Sequence, residues 1–298
     1  MKISAVVPVY NGAGCLERCL ESILGSVAAG GSADFELVVV DDASTDATND
    51  IIESFRQRVP GIVVAHHETN LGLGEARNTG LRNSTGEWVA WVDADDEVTE
   101  DWFARISENA FPDVDVVAFG ARAWRGGRAR VVRYKPYACF VDATVFCCDV
   151  LRDLGTSTWM WNKMFRRSLF EELSFSGRCL EDFRLFPQLL TRARRVRSLP
   201  DPLYEYYRPA GSLSCHGDRT GSVNGLMASL DIDWGEAGLP ASVQKAWLEG
   251  VVLRVADYLR NSGDEPTFRR YLRRNVHRVL LNPRQSLRQK VKCVLECI

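Results

Sequence analysis

The chain has 298 residues, of which 46% are hydrophobic and 26% are charged, and its formal net charge is -2. These values predict a soluble protein with one large α/β domain and a modest appendage, and they argue against a general nucleic-acid binder. The sequence has no apolar run long enough to cross a bilayer and no signal-peptide pattern after Met1, so we expect a cytosolic start.

Cysteine usage indicates a reducing compartment. The nine cysteines form no Cys-x-x-Cys pair, and the pairs spaced four apart, Cys15 with Cys19 and Cys293 with Cys297, have no histidine partners nearby. Reduced, packed thiols are therefore the expected state, and zinc binding is not expected.

The first part of the chain alternates between strand and helix patterns. Apolar runs predict strands at residues 3–10, 35–40, 62–65 and 88–92. Apolar residues at helical spacing follow each of the first three runs. This β-α-β-α-β-α-β order is typical of a parallel sheet with right-handed crossovers.

Three of the four predicted strands end in polar side chains. Tyr10 and Asn11 follow the first strand, Asp41 and Asp42 the second, and residues 93–96 the fourth. The carboxyl ends of sequential parallel strands lie at one edge of a sheet, where open α/β folds bind ligands. We therefore expect these groups to converge.

The fourth strand runs into the acidic sequence Asp93-Ala94-Asp95-Asp96. Closely packed carboxylates raise one another's pKa unless a positive charge lies among them. Mg²⁺ or Mn²⁺ would satisfy them and leave sites open for phosphate oxygens. The alternative is that Asp95, Asp96 and Glu97 cap a helix that begins near Asp101.

The second part of the chain has a mixed pattern. Residues 114–120 and 203–208 predict strands, 122–135 a basic hairpin or flap, and 144–154 a helix. Residues 159–165 are rich in aromatic side chains. A further helix opens near Asp182, where the helix dipole favours an ionised carboxylate. Residues from about 221 onward predict a smaller helical region.

Several short motifs occur in order over roughly residues 1–215. They are Pro8-Val9-Tyr10-Asn11, Asp41-Asp42-Ala43-Ser44-Thr45-Asp46, Asn70-Leu71-Gly72 running to Ala76-Arg77-Asn78, Asp93-Ala94-Asp95-Asp96, Trp161-Asn162-Lys163-Met164-Phe165-Arg166-Arg167, Glu181-Asp182, and Tyr207-Arg208 with Ser212 and Ser214. Together they resemble the inverting family-2 glycosyltransferases of the GT-A fold.

The resemblance implies a GT-A, Rossmann-like α/β fold with a mostly parallel sheet and helices on both faces. Residues 1–215 would form the catalytic domain and residues 216–298 a helical appendage, basic and amphipathic at its end. The implied activity is transfer of a sugar from a nucleotide-diphosphate sugar, with UDP expected, to a glycan or lipid-linked acceptor in cell-surface polysaccharide synthesis. Mg²⁺ or Mn²⁺ is the implied cofactor.

The resemblance also implies roles for individual residues. Asp182 would be the general base, Asp95 the metal ligand, and Asp42 the acceptor of a hydrogen bond from the base ring. Pro8 and Tyr10 would form the wall on which a pyrimidine stacks, and Asp93 would hold ribose or sugar hydroxyls. The residues expected near the diphosphate or sugar are Arg77, Lys163, Arg208, Ser212 and Ser214. Those expected to bind the acceptor are Trp159, Trp161 and Glu181.

Purely structural roles are the alternatives for several of these residues. Asp42 and Ser44 could cap a helix. Lys163 could be a solvated surface lysine. At least one of Trp159 and Trp161 is expected in the core, because alternating positions on a strand face opposite sides. His66 and His67 are assigned no chemistry.

Two other functions compete with sugar transfer. One is an NAD-dependent oxidoreductase, suggested by Gly12 and Gly14 after the first strand, although Glu17 replaces the third glycine of that fingerprint. The other is a non-catalytic homologue that binds a sugar nucleotide without turnover.

The end of the chain is basic. From Arg269 onward nine Arg and Lys residues stand against Glu296 alone, and Leu287, Val291, Val294, Leu295 and Ile298 share one helix face. This pattern is typical of a helix that lies on an anionic membrane surface. Docking on the protein's own domain or on a second subunit, as in a homodimer, is the alternative. We expect a cytoplasmic protein, peripheral on the inner face of the membrane.

Overall fold

The computed structural model describes residues 1–30, 34–132, 140–152, 158–176, 180–207, 238–262 and 266–296. The predicted alternation of strands and helices is confirmed in the first part of the chain. The elements are β1 Lys2–Val9, α1 Leu16–Ala29, β2 Asp34–Asp41, α2 Thr48–Arg58, β3 Val63–His66, α3 Leu73–Asn83 and β4 Trp88–Trp91. Adjacent strands in the order β3-β2-β1-β4 are parallel.

The second part of the chain extends the same sheet. Its strands are β5 Glu97–Val98, β6 Val116–Arg125, β7 Arg128–Val132, β8 Phe140–Asp142, β9 Lys163–Arg166 and β10 Arg195–Tyr207. Its helices are α4 Trp102–Glu108, α5 Ala143–Leu151 and α6 Glu181–Arg192, with a 3₁₀ helix at Arg167–Phe170. The predicted basic hairpin is β6 and β7, which are antiparallel and joined at Gly126 and Gly127, both with positive φ.

The strand order is β3-β2-β1-β4-β9-β6-β10-β5, with β7 paired to β6 and β8 to β10. Strand β9 lies antiparallel between β4 and β6. The sheet is therefore mixed: the parallel unit that the sequence predicts is joined to later strands through a reversed strand. Helices α1, α2 and α4 cover one face, and α3, α5 and α6 cover the other.

The last helices are α7 Ala241–Ser262, α8 Pro266–Asn275, α9 His277–Leu280 and α10 Leu287–Leu295. They pack on the face that carries α5 and α6. The Trp247 and Phe183 rings stack with centroids 4.0 Å apart. A Cβ at Gly250 would lie 2.2 Å from the Leu151 carbonyl oxygen, so only glycine allows this approach of α7 to α5. These helices share a hydrophobic core with the sheet.

Within the described ranges, every helix is too short or too polar to be a candidate for spanning a bilayer.

Candidate active site

The ends of β1, β2 and β4 meet at one edge of the sheet. Asp42 N donates to Val9 O at 2.8 Å, and Val92 N donates to Val6 O at 3.0 Å. These bonds extend the parallel register by one residue past β2 and β4. The polar residues that follow β1, β2 and β4 are therefore close together at this edge of the sheet, as the sequence predicts.

The loop after β1 is fastened to the loop after β2. Asn11 N donates to Ser44 Oγ at 2.9 Å, and Thr45 N donates to Asn11 Oδ1 at 2.8 Å. The predicted capping role of Asp42 and Ser44 is not observed, because α2 follows Ala47 and has no side-chain cap.

The same contacts bear on the dinucleotide alternative. The backbone N–H of Gly12 donates to Thr48 Oγ1 at 2.8 Å, and that of Ala13 donates to Asp46 Oδ2 at 3.1 Å. These donors would have to bind a pyrophosphate in an oxidoreductase fingerprint. Because the chain itself occupies them, the site does not fit that function.

Asp42 is 3% exposed, and both of its carboxylate oxygens bind to the loop before α3. Its Oδ1 accepts from Leu71 N at 2.8 Å and lies 2.6 Å from His67 Nδ1, and its Oδ2 accepts from Gly72 N at 2.8 Å. The sequence analysis assigned His67 no role, and no spacing pattern marks this pairing.

Tyr10 and Pro8, both expected in the nucleotide wall, differ in access. Tyr10 is 51% exposed at the end of β1. Pro8 lies inside β1, is buried, and pairs in register with Val40. The tyrosine ring is therefore the part of this wall that presents a surface to a ligand.

Arg77 joins the end of β4 to the start of α6. This residue is 3% exposed; its Nη1 donates to Glu181 Oε1 at 2.6 Å, and its Nη2 donates to Asp93 Oδ1 at 3.1 Å. Burial alone would lower the pKa of the guanidinium, but the charges of Asp93, Glu181 and Asp182 outweigh it and raise that pKa. Residues from three separate segments of the chain thus form one charge cluster around a buried arginine.

Asp95 and Asp96 lie in surroundings that disfavour their charge. Burial, and then the neighbouring Asp93, raise the pKa of Asp95 to about 6. Burial, Asp93 and Asp95 raise the pKa of Asp96 to about 9. Asp96 Oδ1 accepts from Tyr207 N at 2.7 Å, whereas its Oδ2 is buried and has no hydrogen-bond partner in the part of the chain that the structure describes. A protonated Asp96 at neutral pH fits this arrangement.

The helix-capping alternative for this acidic sequence is wrong. Helix α4 begins at Trp102, and its preceding residue Asp101 makes no side-chain cap. Glu97 belongs to β5 and forms an ion pair with Arg18. The acids therefore precede a short edge strand rather than a helix.

Glu181 and Asp182 begin α6, as the sequence predicts. Glu181 is 6% exposed, and burial raises its pKa, while Arg77 opposes that shift and Asp182 adds to it. Asp182 is half-buried beside it. Of the adjacent pair, Asp182 therefore has the greater access to a ligand.

Lys163 is completely buried, so the surface-lysine alternative is wrong. Its Nζ donates to Trp159 O at 2.6 Å and to Asn162 Oδ1 at 2.8 Å. Burial holds the pKa of this amine well below its usual range, and the charge of Asp182 opposes that shift. Lys163 therefore lies near the start of α6 behind the surface of the site.

Trp159 and Trp161 precede β9 and lie on the same side, so the prediction of opposite sides is wrong. Residues two apart share a face even within a strand. Their rings stack with centroids 4.9 Å apart, and Trp161 also stacks on Tyr204 at 4.5 Å. Trp161 is 4% exposed and packs in the core, as expected for at least one of the two. Only Trp159 is accessible enough to serve as a platform.

Three predicted site residues, Arg208, Ser212 and Ser214, lie outside the described residues. The structure adds His67 and Tyr204 to the residues around the site, since the Tyr204 hydroxyl accepts from Asp93 N at 3.0 Å. Their partners come from distant parts of the chain, so no local sequence signal indicates them.

The acids could hold a divalent cation only with help from a ligand. In the part of the chain that the structure describes, no group of three or more His, Cys, Asp or Glu side chains is placed to hold a metal ion. Asp95 is nevertheless suited to contribute one bond, because a cation would relieve the repulsion that raises its pKa. Phosphate oxygens of a bound diphosphate would have to supply further ligands.

Comparison with known proteins gives consistent matches. The family described as "Glycosyl transferase family 2" matches residues 4–174. A relative from Streptococcus pneumoniae, "Glycosyltransferase GlyA", is 29% identical over 223 residues, which cover 72% of this chain but only 31% of that protein.

Solved structures with the same fold cover nearly the whole chain. TarS 1-349 of S. aureus, in complex with UDP-GlcNAc, has a TM-score of 0.64 and 20% identity, and the alignment covers 100% of this chain and 89% of that one. A mannosyltransferase from Pyrobaculum calidifontis, in complex with GDP-Man and Mn²⁺, has a TM-score of 0.53 and 21% identity, with 99% and 86% covered.

Proposed function

This chain belongs to glycosyl transferase family 2, and from that premise we propose that it is an inverting enzyme that uses a nucleotide-diphosphate sugar, with UDP as the expected nucleotide. The proposed acceptor is a hydroxyl of a glycan or a lipid-linked glycan in cell-surface polysaccharide synthesis. The complex of the TarS structure with UDP-GlcNAc supports the choice of UDP, and the Mn²⁺ in the mannosyltransferase structure supports a divalent cation.

The observation that carries this proposal is the buried bridge from Asp93 through Arg77 to Glu181. The bridge joins the acidic end of β4, which carries Asp95, to the start of α6, which carries Asp182. An inverting displacement needs a leaving-group site on one side of the sugar and a base on the other. The two acidic segments supply these two functions from separate elements.

On the donor side, Tyr10 offers an exposed ring on which a pyrimidine can stack. Asp42 is the proposed acceptor for the ring N–H of the base; because both of its oxygens already accept hydrogen bonds, we expect it to use a remaining lone pair. Asp93 and Asp95 face the sugar and the diphosphate. When bound, Mg²⁺ or Mn²⁺ supplies positive charge that stabilises the departing diphosphate.

On the acceptor side, Asp182 takes the proton from the attacking hydroxyl. The hydroxyl oxygen forms a bond to the anomeric carbon, while the bond from that carbon to the diphosphate oxygen breaks. Asp182 stands in the first turn of α6 and is half-buried. Trp159 is proposed to bind the acceptor, and Arg208, Ser212 and Ser214 are proposed to bind the diphosphate of the donor.

The same proposal extends to location. We propose a cytoplasmic enzyme at the inner face of the membrane, because basic residues border an apolar face on α10. Leu287, Val291, Val294 and Leu295 are 77%, 47%, 40% and 57% exposed. A second copy of the chain on this face would instead make a homodimer.

Replacing Asp182 by Asn tests the proposed base. We expect transfer to fall by about 10²–10⁴-fold, since the amide cannot accept the proton, while donor binding stays near that of the wild type. Transfer is measured as release of the nucleoside diphosphate, and binding as thermal stabilisation by the donor. Asp50→Asn is the matched control, because Asp50 occupies the first turn of α2 and is exposed.

Equal activity of the Asp182→Asn variant and the wild type would refute the base assignment. A wild-type protein that is stabilised by sugar nucleotides but never releases the diphosphate would establish the non-catalytic alternative.

A further inference from the structure

A second cavity lies between α5, α7 and α9, and none of its residues belongs to the candidate active site. Its volume is about 620 Å³. The charged residues and the histidine that line it are Arg152, Lys245, Glu249, His277, Arg278 and Arg284. Four of these side chains always carry positive charge at neutral pH, against one carboxylate.

Part of this charge is neutralised within the protein. Arg152 Nε donates to Glu249 Oε2 at 2.6 Å, and Asn282 Nδ2 donates to the same oxygen at 2.7 Å. Arg284 Nη1 lies 3.3 Å from Asp149 Oδ1. Lys245 is exposed and Arg278 is half-buried, so the cavity retains an excess of positive charge that suits an anion.

Glu249 gives the cavity a second feature. The residue is completely buried, and its Oε1 has no hydrogen-bond partner among the described residues. A buried acceptor without a donor destabilises the protein, so a ligand that brings a hydroxyl would gain affinity here. The cavity therefore combines sites for an anion and for an alcohol, which is the chemistry of a polyol phosphate.

The side chains near the cavity indicate the source of such a polyol phosphate. Leu281, on the rim of the cavity, is 79% exposed, and Leu287, at the start of α10, is 77% exposed. Arg288 and Lys290 border the apolar face of α10. Exposed apolar side chains among basic residues suit the boundary between the headgroups and acyl chains of an anionic membrane.

We propose that this cavity binds the glycerol phosphate headgroup of an anionic phospholipid, with the phosphate near Lys245 and Arg278 and a glycerol hydroxyl donating to Glu249 Oε1. The apolar face of α10 then enters the same membrane surface. This binding is independent of sugar transfer and requires neither donor nor metal.

The first test is co-sedimentation of the full chain with vesicles, without donor. We expect binding to vesicles that contain phosphatidylglycerol and not to pure phosphatidylcholine. The double variant Lys245→Gln/Arg278→Gln should bind roughly 30-fold more weakly, since each basic residue near an anionic surface contributes about fivefold. The matched control Arg56→Gln/Arg58→Gln removes the same charge from exposed positions on α2 and should bind nearly as tightly as the wild type.

The second test uses soluble ligands and thermal unfolding. Glycerol phosphate should stabilise the wild type more than methyl phosphate at equal concentration, because only the former offers free hydroxyls to Glu249. Equal stabilisation by the two ligands would overturn the hydroxyl contact.

Equal vesicle binding by the double variant and its control would overturn the cavity as the binding site. Stabilisation by glycerol phosphate that depends on Lys245 and Arg278, without vesicle binding, would overturn the lipid source. A wild-type dimer that Leu287→Ser converts to a monomer would assign the apolar face to a second copy instead of a membrane.

Discussion

Two pairs of adjacent aspartates follow strands that flank β1, and their surroundings differ. Asp41 and Asp42, at the end of β2, accept hydrogen bonds from three backbone N–H groups, those of Ser44, Leu71 and Gly72. Asp95 and Asp96, after β4, have raised pKa values, and one oxygen of Asp96 has no hydrogen-bond partner within the described ranges. The same dipeptide thus stabilises loops in one place and concentrates unfavourable charge in the other.

The difference comes from which backbone groups face each pair. Backbone N–H donors satisfy carboxylate oxygens and tie them to the loops that carry those donors. Carboxylates that have few such donors gain the most when a cation or a ligand arrives. The pair after β2 therefore holds the surrounding loops in place, and of the pair after β4 only Asp95 is accessible enough for a cation or a ligand to relieve its charge.

The largest effect is expected from Asp95→Asn. Transfer should fall about a thousandfold, because the amide holds a cation weakly and the diphosphate loses several kcal/mol of charge stabilisation. Thermal stabilisation by a UDP-sugar with Mn²⁺, compared with the same mixture after chelator, measures the metal-dependent part. An unchanged difference between Mn²⁺ and chelator in this variant would remove Asp95 as the metal ligand.

Arg77→Met tests whether Arg77 stabilises the carboxylates of Asp93 and Glu181. The variant leaves Asp93 and the buried Glu181 without their shared cation, and we expect a loss of about 3–5 kcal/mol in the free energy of unfolding. Urea denaturation measures the loss. The control Arg82→Met, exposed on the same helix, should change stability by less than about 0.5 kcal/mol. Similar losses in both variants would show that Arg77 has no special part in the cluster.

The third prediction compares the two pairs directly. Asp42→Asn should lower the free energy of unfolding by about 1–3 kcal/mol, because an amide N–H₂ cannot accept from Leu71 N or Gly72 N. Asp95→Asn should not lower it, since it removes a repelling charge. The urea midpoints of the two variants measure these changes. Equal losses of stability in both variants would mean that the two aspartate pairs do not differ in this way.

Much of the fold follows from sequence periodicity. Strands β1 to β4 are continuous apolar runs because both faces of the sheet are covered, and the helices between them have one apolar face. The position of β9 between β4 and β6 has no such signal, because strand order depends on long-range packing. For this reason the mixed character of the sheet appears only in the structure.

The site was predictable in part. Motif spacing placed Asp93, Asp95, Glu181 and Asp182 at the ends of elements, where the structure has them. Burial and partners were not predictable: Lys163 and Trp161 are buried, and Asp42 is held by a loop thirty residues further along the chain. These properties depend on contacts between distant segments, which a local pattern does not contain.

The smallest effect concerns pH. The pKa of Asp95 is raised to about 6, above the unfolded value of about 3.9, so the folded state holds this proton more tightly. Its contribution to stability is fully present below about pH 4 and is lost as the pH rises through 6. Burial would raise the pKa of Glu36, but hydrogen bonds outweigh it and lower that pKa to about 2. Titration of Glu36 therefore changes the free energy of unfolding only below about pH 4.5.

The free energy of unfolding of the wild type, relative to Asp95→Asn, should therefore decrease by about 1 kcal/mol between pH 5 and pH 7, after allowance for solvent screening. Urea denaturation of both proteins at these two pH values gives the difference. Mn²⁺ with a UDP-sugar should abolish the decrease, because the cation then stabilises the ionised form. If the free energy of unfolding of the two proteins changes equally with pH in the absence of ligand, the charge of Asp95 is not destabilising. The proposed difference between the pair after β4 and the pair after β2 would then be wrong.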